Sequence, residues 1–201
     1  MMIVLLVDFL IVAVLLTADL VSKYYAASML GDNSTYVAIK KVLSFRYRQN
    51  TGAAFGMFHD ARVFLCVFVG IVLLALVCFM GYHIVKKKYR EKGGIFLHVC
   101  MSMIVAGGLG NLIDRIAFGY VRDFIDYTVV YTLFKRHFAI CNLADVYLTI
   151  GVILVACYLI WLIAKEGKKG KTVKQVAADK DVSRAPQEAN PTLPEEQSKD
   201  D

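Results

Sequence analysis

Four long runs of apolar residues dominate the pattern of hydrophobic and polar positions along the chain. Each run reaches the roughly 20 residues that a helix needs to cross the hydrocarbon core of a bilayer. The predicted spans are residues 1–20, 63–85, 94–118 and 143–164. The sequence therefore predicts an all-α integral membrane protein with four transmembrane helices.

The loop between the first two spans has a different pattern. Its residues 36–47 are rich in Val, Ile, Phe and Tyr, and they alternate in part between apolar and polar positions. A segment of this kind favours one or two short β-strands. We therefore expect the loop between helices 1 and 2 to form a small β-rich structure at the outer face of the membrane.

The C-terminal segment, residues 165–201, differs from the rest of the chain in composition. It contains all three prolines and mixes Lys, Asp, Glu and Gln with few large apolar side chains. Such segments cannot bury enough apolar surface to fold. The sequence thus predicts two parts, a four-helix membrane domain at residues 1–164 and a disordered cytoplasmic tail at residues 165–201.

Composition supports the assignment to the membrane. Hydrophobic residues make up 58% of the 201 positions and charged residues 20%, whereas a soluble domain is about half apolar and about a quarter charged. The net charge of +6 is explained by lysines that face anionic headgroups of the inner leaflet. Membrane lipid is therefore an expected partner, and a nucleic-acid partner is not needed.

The distribution of basic residues predicts the orientation in the membrane. One cluster lies between the second and third spans, at residues 86–92, and another follows the fourth span, at residues 165–174. Because short cytoplasmic loops are enriched in Lys and Arg, both clusters and both termini are expected in the cytoplasm. The loops 21–62 and 119–142 then face outward, although the first of them also carries Lys40, Lys41, Arg46 and Arg48.

Ionisable residues in or beside a membrane span are costly and therefore indicate function. Two carboxylates that are brought together share a proton more readily than they both ionise, so the pair can activate a water for attack on a carbonyl. Spacing alone does not decide between Asp123 and Asp126 as a member of such a pair. By span order, the aspartates expected to converge near the outer interface are Asp19, Asp114, Asp123 and Asp145, and Asp126 follows three residues after Asp123.

Other chemistries have weaker support in the sequence. There is no HExxH or GxSxG motif, the five cysteines form no CxxC pair, and the four histidines are dispersed. We therefore expect neither a metal site nor a cofactor. Two other classes of function stay open: a small proton-coupled membrane transporter, in which Asp8 would be the deep carboxylate, and a non-enzymatic scaffold.

Polar and small residues accompany the aspartates. Gly107, Asn111 and Arg115 recur every four residues and so share one face of the third span. Glycines on such a face ordinarily serve close helix packing, whereas Asn and Arg would supply hydrogen bonds and positive charge. Asp19 and Lys23 are also four residues apart, which is the spacing of a simple local ion pair.

The order and spacing of these motifs resemble the lipoprotein signal peptidases. The resemblance covers about residues 1–164, and one position departs from it, because the family usually has Phe where this chain has Cys141. The matching segments are Asp19-x3-Lys23, Asn50-x-Gly52-Ala53-Ala54-Phe55, Gly107-x3-Asn111-x2-Asp114-Arg115, Val121-x-Asp123-Phe124 and Asn142-x-Ala144-Asp145.

The resemblance implies a membrane aspartic endopeptidase, monomeric and without cofactor. Such an enzyme removes the signal peptide from diacylglyceryl-modified prolipoproteins, just before the lipidated cysteine, on the outer side of the bacterial inner membrane. Asp123 and Asp145 would be the catalytic pair, Asp114 a structural partner near the site, and Asp126 would lie outside it. The residues that would line or support the substrate site are Asp19, Lys23, Asn50, Gly52, Gly107, Asn111, Arg115, Asn142 and Ala144.

Overall fold

The fold is given by a computed structural model that describes residues 1–31, 34–52, 61–135 and 139–184. Its secondary structure follows a simple order along the chain, with a single 3-10 turn at Lys88–Arg90. The elements are α1 (Met2–Leu30), β1 (Thr35–Ile39), β2 (Leu43–Asn50), α2 (Ala61–Val85), α3 (Gly94–Ala117), β3 (Val121–Asp126), α4 (Thr128–Phe134) and α5 (Leu143–Arg184).

Four helices are long and apolar enough to cross a membrane, which confirms the predicted fold class. The third span is the most enclosed, since 61% of its 18-residue apolar segment is buried inside the protein, against 6–17% for the corresponding segments of the other three spans. α3 is therefore the central helix, and the others expose most of their apolar side chains to lipid. The spans are Met2–Leu30, Arg62–Val85, Gly94–Ala117 and Leu143–Lys165.

The first helix is longer than the sequence suggested. It continues to Leu30 instead of ending at residue 20, where Asp19 and then Lys23 interrupt the apolar run. These two side chains do not end the helix, because they are fully buried and pair with each other at 2.8 Å. Pairing removes the cost that two separate charges would impose on a membrane helix.

A three-stranded antiparallel sheet in the order β1-β2-β3 lies beside the helices. β1 and β2 come from the loop between α1 and α2, as predicted. β3 comes from the loop after α3, and it pairs with β2 so that Arg48 is opposite Asp123 and Asn50 is opposite Val121. Sequence analysis missed β3, which joins the two loops into one structure.

A buried polar cluster joins three helices in the half of the bundle away from this sheet. Asp8 of α1 accepts a hydrogen bond from the Ser102 hydroxyl at 3.1 Å, and its other oxygen lies 2.8 Å from His98 Nδ1. The second ring nitrogen of His98 lies 3.2 Å from Nδ1 of His83 on α2. Such directional bonds hold helices together in lipid, where the hydrophobic effect contributes little to their association.

The chain divides into two compact units, Met1–Leu159 and Ile160–Asp201. The first contains the three strands, helices α1 to α4 and most of the α5 span. In the second, α5 continues to Arg184, and Lys165 Nζ lies 4.9 Å from the Trp161 ring. The predicted division after residue 164 and the predicted disorder of the tail stay predictions, and residues 185–201 lie outside the described part of the chain.

The polar cluster of α1, α2 and α3 leads to a stability prediction. Asp8→Ala is expected to lower the free energy of unfolding by about 1–2 kcal/mol, because His98 and Ser102 lose their buried acceptor. A double-mutant cycle with His98→Ala, measured by reversible unfolding in mixed micelles, should give a favourable coupling energy between the two side chains. Val14→Ala, at an exposed position of α1, is the control and should cost less. Additive effects of the two cluster mutations would contradict the interaction.

Candidate active site

Asp145 is held in the first turn of α5 by reciprocal hydrogen bonds with Asn142. The Asn142 N–H donates to Asp145 Oδ2 at 3.1 Å, and the Asp145 N–H donates to Asn142 Oδ1 at 3.0 Å. This is a capping box, in which each side chain satisfies a free backbone donor at the start of the helix. The carboxylate also lies in the first turn of α5, at the positive end of the helix dipole.

Asp123 is placed by β3 and bound by two amide side chains. Its Oδ1 accepts a hydrogen bond from Asn142 Nδ2 at 2.6 Å, and its Oδ2 accepts one from Asn50 Nδ2 at 2.9 Å. Asn142 therefore contacts both Asp123 and Asp145. One asparagine thus connects a carboxylate at the start of a helix with a carboxylate on a strand.

The environment of Asp123 shifts the titration of its carboxyl group to higher pH. Burial raises the pKa of Asp123 from an ordinary 3.8 to about 6. The hydrogen bonds from Asn50 and Asn142 act in the opposite direction because they stabilise the carboxylate, the charge of Asp145 raises the pKa further, and Lys23 lowers it. The two carboxyl groups are therefore unequal: one is desolvated on a strand, and the other lies at a helix N-terminus.

Cys141 stands next to the pair, at the position where the resembling family usually has Phe. Burial, followed by the charges of Asp145 and Asp123, raises the pKa of the Cys141 thiol to about 11. The thiol is therefore neutral at physiological pH, and a neutral thiol is a poor nucleophile. The departure from the family pattern at Cys141 therefore does not add a reactive thiolate beside the two carboxyl groups.

Asn111 of α3 orients Asp145 from a second direction. Its Nδ2 donates to Asp145 Oδ1 at 2.7 Å, while its Oδ1 accepts from Asn142 Nδ2 at 3.1 Å and from Lys23 Nζ at 3.0 Å. An ammonium group can donate hydrogen bonds but cannot accept them. Lys23 therefore requires the amide oxygen of Asn111 on its own side, which turns the amide NH₂ toward Asp145.

Asp19 and Lys23 support the site from behind. Both side chains are fully buried, and Lys23 Nζ lies 2.8 Å from Asp19 Oδ2 and 3.5 Å from Asp114 Oδ2. The other oxygen of Asp19 accepts the Ala144 N–H at 2.9 Å. The pair is therefore more than a local ion pair, since it connects α1 to α3 and to the start of α5.

Asp114 is a structural partner of the strand that carries Asp123. It accepts the Arg122 N–H at 2.9 Å and the Arg122 guanidinium at 2.7 Å. Its partner is thus Arg122 rather than its chain neighbour Arg115. Sequence analysis missed Arg122, and the position directly before Asp123 was the only signal for it.

Asp126 lies away from the pair. It is three positions after Asp123 on β3, so the two side chains point to opposite faces of the strand. Asp126 instead accepts a hydrogen bond from Arg46 Nη2 at 2.9 Å. The geometry therefore separates these two aspartates, which spacing in the sequence did not.

Two glycines of α3 allow its neighbours to approach closely. A Cβ added to Gly107 would overlap the carbonyl oxygen of Ala144 and crowd Leu148, and a Cβ on Gly110 would overlap the Asp19 carboxylate. Close packing against α5 and α1 therefore accounts for these glycines. This arrangement brings α3 near enough for Asn111 to reach the start of α5.

Gly52 and Arg115 lie at the open edge of the site. The Gly52 N–H donates to Asn50 Oδ1 at 3.0 Å, and its φ of 73° is in the left-handed region that favours glycine. Because this contact binds the amide oxygen of Asn50, the amide NH₂ of the same side chain points toward Asp123. Arg115 is half-buried, and its Nη1 donates to the Asn111 carbonyl oxygen at 3.4 Å.

The predicted site residues thus fall into groups at one end of α3. Arg115 lies at the edge, and positions 53–55 of the second motif lie outside the described residues. Within the described part of the chain, no group of three or more His, Cys, Asp or Glu side chains is placed to hold a metal ion. The residues that contact Asp123 or Asp145 are Asn50, Asn111 and Asn142. The residues behind or beside them are Asp19, Lys23, Gly52, Gly107 and Ala144.

Comparisons with known proteins agree with one another. A family model described as Signal peptidase (SPase) II matches residues 11–161. A lipoprotein signal peptidase of Clostridium tetani is 34% identical over 83% of this chain and 98% of its own length. The Staphylococcus aureus lipoprotein signal peptidase is 38% identical over 78% of this chain and 88% of its own. A bacterial membrane enzyme solved by the in meso method has a TM-score of 0.65 and 35% identity, with 76% of this chain and 92% of that chain covered.

The close approach of α3 and α5 can be tested at Gly107. Gly107→Ala is expected to lower the free energy of unfolding by about 1–3 kcal/mol, because the new methyl group would overlap backbone atoms of α5 that cannot rotate away. Thermal unfolding in detergent measures this effect. Gly81→Ala is the matched control, since a Cβ there has open space around it, and it should be neutral or stabilising. Unchanged stability of the Gly107 variant would contradict the packing role.

Proposed function

Because the chain belongs to the signal peptidase II family, and is therefore an aspartic endopeptidase of the bacterial membrane, we propose that Asp123 and Asp145 are its catalytic pair. The observation that carries the proposal is their shared contact with Asn142. Asp145 is half-buried, so water can reach the pair. Asp19 and Asp114 also lie near each other, but both are fully buried against Lys23.

The unequal environments suggest a role for each carboxyl group. Asp145, at the helix N-terminus, is the charged member and takes a proton from a water that attacks the scissile carbonyl carbon. Asp123 is the protonated member and gives its proton to the carbonyl oxygen as the tetrahedral intermediate forms. When the C–N bond breaks, the proton on Asp145 passes to the leaving nitrogen, and Asp123 recovers its proton from the hydroxyl group of the collapsing intermediate.

The surrounding residues keep this pair in position. Asn111 and Asn142 hold the charged carboxylate, and Lys23 keeps the amide of Asn111 in the orientation that donates to it. These contacts are formed by side chains that are themselves buried, so the geometry exists before a substrate binds. Such preorganisation is the usual origin of electrostatic stabilisation in enzymes.

We propose a diacylglyceryl-modified prolipoprotein as the substrate, cut just before its lipidated cysteine. The relatives are named lipoprotein signal peptidases, and the pair lies where α3 ends and α5 begins. A bond at the end of a membrane-embedded signal helix would reach this depth. Arg115 and Asn50, at the open edge, would bind the substrate backbone beside the scissile bond.

The same geometry supports a location and a state of assembly. The basic loop at residues 86–92 precedes α3, whereas the pair lies at the other end of that helix. By the distribution of positive charge, the pair then faces outward from the inner membrane and both termini lie in the cytoplasm. Every residue of the pair and its supports comes from one chain, so a monomer suffices. Membership of a peptidase family favours the enzyme over the transporter and the scaffold that the sequence alone left open.

The assignment of the pair can be tested with isosteric variants. Asp123→Asn and Asp145→Asn are each expected to reduce cleavage of a purified diacylglyceryl-modified prolipoprotein by about 10²–10⁴-fold, because each removes a proton-transfer group. Asp126→Asn is the matched control and should retain activity. Thermal unfolding should show that all three variants are folded.

Two results would overturn parts of this proposal. An active Asp123 variant together with an inactive Asp126 variant would reassign the pair. Equal cleavage of the lipid-modified and unmodified prolipoprotein would leave the pair in place but reject the proposed substrate.

The proposed division of roles predicts the pH dependence. Since burial raises the pKa of Asp123 to about 6, the proton donor is lost as the pH rises through that value, and the single-turnover rate should fall at higher pH. Asn50→Ala removes a hydrogen bond that favours the carboxylate, so it should move this fall to higher pH. Gln49→Ala, at an exposed neighbouring position of β2, is the control. A rate that keeps rising on the alkaline side of pH 6 would contradict Asp123 as the donor.

A further inference from the structure

The tip of the β1–β2 hairpin and the end of α4 form one continuous surface. The Val129 N–H donates to the Val42 carbonyl oxygen at 3.1 Å, and the Thr132 hydroxyl donates to the Lys41 carbonyl oxygen at 3.2 Å. These contacts bring together side chains from two outer loops. The resulting hairpin–α4 surface consists of Ile39, Lys40, Lys41, Val42, Leu133, Phe134 and Lys135.

The apolar part of this surface is strongly exposed. Leu133 and Phe134 are 68% and 69% exposed, and Ile39 and Val42 are 54% and 41% exposed. Single exposed apolar residues are common, but a cluster of them on one surface indicates a binding partner. β1 is also an edge strand with all five residues exposed, and an uncovered apolar edge in water promotes aggregation.

The basic part of the surface has an unusual backbone. Lys41 has a φ of 63° and Lys135 a φ of 54°, in the left-handed region where a hairpin turn or a helix C-terminus ordinarily has Gly or Asn. A lysine costs backbone strain at such a position. Lys40 lies beside Lys41 at the same turn, and none of these three lysines takes part in the ion pairs of the described residues.

We propose that the hairpin–α4 surface docks on the anionic phospholipid headgroups of the leaflet at the active-site end. Apolar side chains next to lysines fit the boundary between acyl chains and headgroups, and phosphate groups would neutralise the three lysines. The chain leaves the membrane span at Leu30 and enters β1 at Thr35, which limits their separation to about 18 Å. The sheet therefore begins close to the bilayer surface.

Docking there would act on the elements that carry the catalytic groups. β2 pairs with β3 close to Asn50 and Asp123. β2 begins at the tip of the hairpin, and β3 leads directly into α4, so both strands adjoin the surface that meets the lipid. A surface held by headgroups would therefore restrict the motion of the sheet. Neither Lys41 nor Lys135 contacts the catalytic pair, so they can be changed without altering it.

The test compares the full-length protein in two kinds of nanodisc. One contains phosphatidylcholine alone, and the other contains phosphatidylcholine with phosphatidylglycerol. Hydrogen exchange of backbone amides at residues 39–42 and 131–135 is expected to be several-fold slower in the anionic discs. High salt should reduce the difference, because it screens exposed charges.

A glycine variant separates the lipid role from a structural role. Lys41→Gly with Lys135→Gly should abolish the slower exchange in anionic discs, while its Tm in neutral detergent should be unchanged or higher, since glycine relieves the left-handed strain. Lys87→Gly is the matched control: Lys87 also has a positive φ, of 57°, but it lies in the loop before α3. This control should keep the lipid-dependent difference at the hairpin.

Several outcomes would overturn the proposal. Equal exchange of the wild-type protein in both discs would exclude recognition of anionic headgroups. A glycine variant that keeps the lipid effect would show that the lysines do not cause it. A glycine variant that unfolds at lower temperature in detergent would give the lysines a structural role instead. Protection that appears only after addition of a second membrane protein would assign the surface to a protein partner.

Discussion

One buried ammonium group holds the active-site end of this protein together. Lys23 Nζ contacts Asp19, Asn111 and Asp114, and each of these connects to a different part of the fold. A single charge in a membrane protein is costly, and removing one partner from such a network leaves the others uncompensated. Through these contacts the position of α1 is coupled to the strand that carries Asp123 and to the helix start that carries Asp145.

The four spans and the hairpin were predictable because their patterns are local. A run of apolar residues and a partial alternation are both visible within a short window. The end of α1 was predicted too early, because a charge in sequence looks the same whether or not a partner neutralises it. The contact between Asp8 and His98 was not predictable either, since these residues are 90 positions apart and no repeat or spacing connects them.

β3 shows the same limit for the site itself. All six of its residues are buried, so the strand lacks the alternation that marks a half-exposed strand. The motif around Asp123 was visible only through its resemblance to a family, and the residues alone left Asp126 as an equal candidate. The structure adds an independent physical reason to favour Asp123, because the two aspartates point to opposite faces of the strand and only one of them meets Asn142.

The hydrogen bond from the Ala144 N–H to Asp19 joins the first span to the last. Membrane helices are inserted in the order in which the ribosome makes them, so Asp19 enters the bilayer long before its partner exists. Asn142, which contacts both carboxylates, also belongs to this final part. The proposed catalytic pair is therefore incomplete until α5 has been made. A truncated translation product that ends before α5 would carry Asp123 but would lack Asp145, and so would lack the proposed pair.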